Sequence, residues 1–237
     1  MNEHFYLMSL DEIELCNYFE IMEKSRLFNS EEQRVLEEII LNRRDVRGNH
    51  FLDKPIEDDV LEKILMAGLN APSVGFSQPW EFVVIKDKDI RNKIKKSFET
   101  ESAKAAELFE DEKQKEYIKL KLEGITESPL NIAVYYVPKK GPVLGQTSMP
   151  DMGRFSVTCA IQNMWLMSRA LNVGMGWVSI LDPKEVAKVI NAPDSHELIG
   201  YLCFGYTDMF YEKPELEILK WDERKYKDDV VFYEKYQ

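Results

Sequence analysis

FSVTCAIQNMWLMSRALNVGMGWVSIL, from Phe155 to Leu181, is the stretch on which the fold turns. Its first half, Phe155 to Leu171, reads as a helix that is apolar nearly all round, with Val157, Ile161, Met164, Trp165, Leu166 and Met167 distributed over its faces. Such a helix must be covered on every side, in a deep core or at a subunit interface. Its second half reads as a strand, Gly176 to Leu181, entered through Gly174-Met175-Gly176. Those glycines begin like a dinucleotide-binding fingerprint. The third glycine is missing, however, and the motif lies after a helix and before a strand, the reverse of the context that puts a pyrophosphate on a helix N-terminus. A doubly wound nucleotide-binding sheet is therefore set aside.

Working outward, Phe82–Ile85, Asn131–Val137 and Ile199–Tyr206 are continuous apolar runs of strand length. Helix starts are marked at Ser9-Leu10-Asp11-Glu12, reaching about Lys24, and at Ser30-Glu31-Glu32-Gln33, ahead of an apolar face of Val35, Leu36, Ile39 and Ile40. Pro55 and the acidic turn 57–59 open another helix, with Leu61, Ile64, Leu65 and Leu69 inward, and Asp182-Pro183-Lys184-Glu185 opens the next. Residues from about 89 to 124 are charge-rich, which suits one or two helices exposed on one side, a lid or an arm. The tail after Pro214 is charged and aromatic and is expected to pack over the surface or onto a partner. Few, widely spaced strands among more numerous helices predict one sheet with helices on both faces.

The 237 residues carry 31 basic and 42 acidic side chains, a net charge of −11. That balance argues against general binding to nucleic acid or to an anionic membrane. Cys16, Cys159 and Cys203 are far apart and odd in number, which is no disulfide framework and suits a reducing compartment. His4, His50 and His196 are scattered without metal-ligand spacing, so no metal site is expected. The N-terminus has no basic segment followed by a long apolar one, and no run is long enough to span a bilayer, so a cytoplasmic protein is expected.

Against this acidic background stand Arg43, Arg44 and Arg47 around Asp45. Guanidinium groups offer planar paired donors to phosphate oxygens, so the cluster suits the phosphate of a small anionic cofactor. On the cluster alone the more ordinary reading is surface charge just past a helix C-terminus, where cations are favourable anyway. Asp45 is either a salt-bridge partner of these arginines or an acid–base group. Ser179, inside an apolar strand, is either a core serine bonded to backbone or a functional hydroxyl. Trp80, Trp165 and Trp177 are more often core residues than cofactor stackers.

Taken together, RRDVR (43–47), APSVGFSQPW (71–80), LKLEGITESPLNIAV (120–134), CAIQNMWLMSRA (159–170), GMGWVSIL (174–181), YLCFGYTDMFYEKPELE (201–217) and Trp221 with Arg224 resemble the flavin-dependent nitroreductase superfamily. Within it they resemble the 5,6-dimethylbenzimidazole synthase (BluB) family, from about Ser30 to about Arg224. Ordinary members usually carry serine where Asp45 stands here, and GWVS places Ser179 as in the synthase branch. Ser77, the loop from Ser148 to Arg154 and the first twenty-odd residues depart from the pattern.

The resemblance implies an α+β nitroreductase-like fold, a mixed, mostly antiparallel sheet flanked by helices, in an intertwined homodimer with FMN at two interface sites. It implies residues 1–28 as an N-terminal helical extension and 29–237 as the FMN domain, with 98–128 as a lid. Arg43, Arg44, Arg47 and Arg224 would hold the phosphate. Ser73, Gln78, Pro79, Trp80, Lys113, Leu122, Gly176, Trp177 and Val178 would line the flavin. Asp45 and Ser179 would be catalytic in the oxygen-dependent fragmentation of reduced FMN to 5,6-dimethylbenzimidazole and erythrose 4-phosphate, with dioxygen as co-substrate and an external flavin reductase as partner. A conventional FMN-dependent NAD(P)H nitroreductase or dehalogenase is the alternative enzyme, and a flavin-binding protein without turnover is the alternative of another class.

Overall fold

The computed structural model describes residues 25–236. The helix expected from Ser9 lies outside the described residues. Residues 25–38 group apart from the compact unit Ile39–Gln237, which carries the sheet. Helix α1 is Ser30–Asn42, capped by Asn29, whose side chain accepts from the Glu32 N–H at 3.0 Å. None of its residues is buried.

Four strands, β1 (Trp80–Ile85), β2 (Leu130–Tyr136), β3 (Val173–Val178) and β4 (Glu197–Tyr206), form one sheet in the order β1-β2-β4-β3. All three pairings are antiparallel, with a bulge in β2 between Val134 and Tyr135. The parallel component comes from outside the named strands. Asp45 bridges Met175 in parallel along the β3 edge, and Phe51 bridges Thr207. The sheet is thus mixed and mostly antiparallel, as expected.

Continuous apolar strands arise because both faces are covered. Leu130, Ile132 and Val134 of β2 face one core, shared with Leu61 and Ile64 of helix α2 (Asp58–Leu69). Helices α3 (Lys88–Ala106) and α4 (Asp111–Lys119) follow β1. The long helix α5 (Met152–Ala170) adds Val157, Ala160, Ile161 and Met164 to the first core. Ala133 and Tyr135 of β2 face the opposite core, with Ile94 of α3 and Val186 of α6 (Pro183–Ile190). The α6 cap is the expected one: Asp182 accepts from the N–H groups of Lys184 and Glu185, with proline at the first turn.

Two expectations shift. α5 starts at Met152, before Phe155, and β3 runs 173–178 instead of 176–181. Asn172, at φ +56°, turns the chain within two residues of the helix end, so the strand begins early. Both glycines therefore lie inside β3. Ser179 falls beyond its end and is exposed, so it is not a serine within a buried strand. The charge-rich segment forms two helices, and residues 123–128 after them are a fixed element. Arg91, buried, donates to the carbonyls of Ile125 (3.4 Å), Thr126 (3.2 Å) and Ser128. The buried Glu123 accepts from the Ile125 N–H at 2.7 Å.

Candidate active site

The site begins with the seat that β3 provides for the arginine cluster. A Cβ on Gly174 would stand 3.0 Å from the side-chain carbons of Val46, and one on Gly176 would overlap the Val46 carbonyl oxygen. The G-x-G pattern is therefore a close-approach surface for residues 45–47, not a phosphate turn. The Val46 N–H donates to the Met175 carbonyl at 3.0 Å and locks the register.

That register places the Asp45 carboxylate. Its Oδ1 accepts from the Trp177 N–H at 3.2 Å, and its Oδ2 pairs with Arg47. Arg47, only 16% exposed, also donates to the Leu122 carbonyl at 2.9 Å and reaches that of Trp177 at 3.5 Å. One guanidinium thereby ties the carboxylate, β3 and the end of the charged arm together. Burial raises the Asp45 pKa above the ordinary carboxylate value, against the lowering by Arg47, the Trp177 N–H and Arg43. Glu215 pushes in the same direction as burial.

A cavity of about 140 Å³ opens beside this carboxylate, lined among others by Arg43, Asp45, Arg47, Leu122, Glu215 and Leu216. Its walls come from three stretches far apart in sequence, 43–47, 120–122 and 214–216. Arg43 lies over the Trp165 ring, 4.4 Å from its centroid. Arg44 donates to the carbonyls of Tyr211 (2.9 Å), Leu41 (2.8 Å), Arg43 (2.6 Å) and Glu212, which pins the chain following β4. Burial lowers the pKa of both Arg43 and Arg44, and Arg224 repels both; Arg169 adds to the repulsion on Arg44. In a chain of net charge −11, this is a concentrated cationic locus.

The Nitroreductase family model matches residues 40–206 of this chain. The chain belongs to the nitroreductase family. It is 39% identical over 206 residues to the 5,6-dimethylbenzimidazole synthase of Rhodospirillum rubrum, covering 86% of this chain and 97% of that protein. Among solved structures, a BluB-like flavoprotein from Clostridium difficile superposes with a TM-score of 0.65 at 19% identity, covering 84% of this chain and 99% of that one. Iodotyrosine deiodinase bound to FMN and 3-iodo-L-tyrosine superposes with a TM-score of 0.68 at 21% identity, covering 85% and 100%. The family and fold expected from the sequence motifs are upheld.

The nitroreductase frame separates the remaining expected site residues into groups. Gly176, Trp177, Val178 and Leu122 are at or next to the Asp45 carboxylate. Ser179 follows them, on the surface. Lys113 sits on α4, with its ammonium 3.7 Å from the Trp221 ring centroid, and Arg224 is largely exposed, 3.9 Å from Glu217. Ser73, Gln78, Pro79 and Trp80 are elsewhere. Ser73 Oγ accepts from the Gln78 N–H at 3.0 Å, and Gln78 has φ +47°. Pro79 is buried, and Trp80 packs into the first core.

Trp80 and Asp45 occupy opposite corners of the sheet. Crossing from β1 past β2, β4 and β3 to Asp45 takes four strand spacings, roughly 19 Å at ~4.8 Å each. Trp80 is level with Tyr136 and Glu197, whereas Met175 is level with Phe204, some seven residues or roughly 23 Å further along β4. One chain does not bring the two groups into one site. Conversely, sequence reading passed over Arg169, Glu215 and the anchoring Glu123. Their signal was only a charge in an amphipathic or acidic run, where charge is ordinary.

Proposed function

We propose that this nitroreductase-family chain catalyses the oxygen-dependent fragmentation of reduced FMN to 5,6-dimethylbenzimidazole, the lower ligand of cobalamin, and erythrose 4-phosphate. The observation that carries the reading is the Asp45 carboxylate, desolvated yet held by the Trp177 N–H and Arg47 in the wall of a cation-lined cavity. The 39% identity to a 5,6-dimethylbenzimidazole synthase over nearly its whole length supports the same reading.

The residues present fit a flavin mononucleotide. Arg43, Arg44 and Arg224 repel one another, and a dianionic phosphate relieves that repulsion; Arg44 contributes mainly its charge, because its N–H groups are committed to backbone carbonyls, and paired hydrogen bonds are left to Arg43 and Arg224. When bound, the reduced flavin supplies the electrons for dioxygen and the carbon skeleton of the product. Asp45, whose protonated form burial favours, holds and moves a proton at its Oδ atoms; such acid–base help is worth ~10²–10⁴-fold. Arg47 fixes the orientation of that carboxylate, and Ser179 offers a hydroxyl two residues beyond Trp177. The arm that ends at Leu122 is the element placed to exclude water from the cavity.

Completion of the site is assigned to a second copy of the chain. A cavity of about 140 Å³ falls below the ~300–1,000 Å³ usual for small-molecule sites. The 71–80 loop lies at the far corner of the sheet, so in a two-fold dimer it reaches the partner's site and not its own. Reduced flavin is then delivered by a separate reductase.

Aerobic incubation with FMN, NAD(P)H and a flavin reductase, followed by chromatography, tests the reading. Production of 5,6-dimethylbenzimidazole is expected. Reduction of a nitro or halogenated aromatic with the flavin intact would establish the conventional reductase instead. Tight FMN binding with neither outcome would establish a flavin-binding protein.

A further inference from the structure

The cavity beside Asp45 has two walls whose sequences are nearly a hundred residues apart, Leu120–Leu122 at the end of the arm and Pro214–Leu216 at the start of the tail. Each wall continues into a segment that meets the other again. From the tail side, the short helix α7 (Glu215–Ile218) ends with Lys220 at φ +56°, and the Trp221 N–H donates to the Leu216 carbonyl at 2.9 Å. That six-to-one closure is a Schellman motif, which fixes Trp221 rigidly with respect to Leu216 in the cavity wall.

From the arm side, Phe109 and Tyr117 stack with ring centroids 5.1 Å apart, and both meet the Trp221 ring, at 5.4 Å edge-on and 6.3 Å tilted. Lys113 covers the same indole at 3.7 Å and reaches the Trp221 carbonyl at 3.4 Å. Phe109 lies just before α4, and Lys113 and Tyr117 lie on it; the helix ends at Lys119, directly before Leu120. Arm and tail therefore form a closed ring of contacts, joined at the cavity and again at Trp221.

We propose that Trp221 is a positioning residue, a strap through which the tail holds the 107–121 arm against the cavity wall. Its indole acts through Phe109, Tyr117 and Lys113 on the arm, and its backbone N–H acts through Leu216 in the cavity wall. The elements on either side of the arm are already fixed, α3 by its packing on α6 and residues 123–128 by Arg91 and Glu123. The stretch whose position remains to be set is the one the indole grips. This role deepens the proposed reaction, because excluding water from the cavity requires that stretch to stay shut.

The strap is tested independently of that reaction by limited trypsin digestion of the full chain. Cleavage after Lys113, Lys115 or Lys119 is expected to rise about tenfold in Trp221→Ala, because the loss of two aromatic contacts and a cation–π contact raises the open population that trypsin samples. Trp221→Phe is expected to restore most of the protection. Phe109→Ala removes the same grip from the arm side and carries the same expectation if Trp221→Ala fails to fold. The double variant is expected to be no worse than either single one. A folded Trp221→Ala protein cleaved at the wild-type rate overturns the strap.

The positioning role is read in single turnovers, with protein in excess over reduced FMN, as the share of consumed dioxygen released as hydrogen peroxide. A larger peroxide share in Trp221→Ala, with FMN binding changed little, is expected. An unchanged share in a variant whose arm is freed overturns the role. If the wild-type chain forms no benzimidazole, the functional reading has failed, and the cleavage rates still decide the strap.

Discussion

Asp45 shows how a charged residue in a legible motif acquires its chemistry from neighbours. The motif announces arginines around a carboxylate, but not which effect governs the carboxylate. Backbone pairing with β3 buries it, and the structure raises its pKa in spite of Arg47. The folded pKa lies above the unfolded one, so between the two values the native state binds the extra proton. The stabilisation is complete below the unfolded pKa and disappears as pH rises through the folded pKa. Asp45→Asn has no charge to desolvate, and Arg47 keeps its carbonyl partners at Leu122 and Trp177. Thermal melts across that window should therefore fall less with pH in the variant, with a neutral-pH Tm no lower than the wild type, while benzimidazole formation drops by ~10²–10⁴. A variant much less stable at neutral pH would show that the carboxylate is a structural ion pair first. Arg44 carries the complementary lesson. It reads as a phosphate ligand, yet much of its hydrogen bonding goes to backbone carbonyls, a demand that only the folded chain creates.

At the scale of elements, the buried strands and the α6 cap were legible because they depend on local pattern, continuous apolar runs and an Asp-Pro start. The start of β3 was not legible. Asn172 takes a positive φ that sequence permits but does not require, and the strand shifts three residues, carrying Gly174 and Gly176 inside it. The glycines then matter for what lies against them. Gly176→Ala forces a methyl group onto the Val46 carbonyl and pushes the 45–47 segment off the sheet edge. Denaturant melts should register a loss of ~1–3 kcal/mol, typical of overpacking, together with weakened FMN binding. Unchanged stability would mean that the edge pairing is soft. The arm was legible as a charged, one-sided pair of helices, but its final residues were not legible as an anchor. Arg91 collects carbonyls from 125, 126 and 128, and no local pattern links position 91 to them.

At the scale of the molecule, the expected flavin neighbours split between two corners of one sheet. Asp45 and the arginines share an edge with β3, whereas the 71–80 loop leads into β1 at the other edge. The proposed dimer joins them across subunits, and this has a quantitative consequence. A chain disabled at Asp45 and a chain disabled at Ser73 and Gln78 are each expected to be inactive. Refolded together, half of the dimers are mixed and hold one intact site of two, so about a quarter of the wild-type activity returns. Failure of the mixture to regain activity, with dimers present, would place both groups in the same subunit's site.

The family, the helix and strand types, the covered faces of the sheet and the adjacency of Arg43, Arg44, Asp45 and Arg47 are written in the chain's linear pattern, because periodicity, capping and a contiguous motif act over a few residues. The closing of Leu122, Pro214–Leu216 and Trp221 around that motif, and the distance of the 71–80 loop from it, arise on folding. Those relations follow from strand order and from side chains packed across long sequence separations, which a linear pattern does not encode.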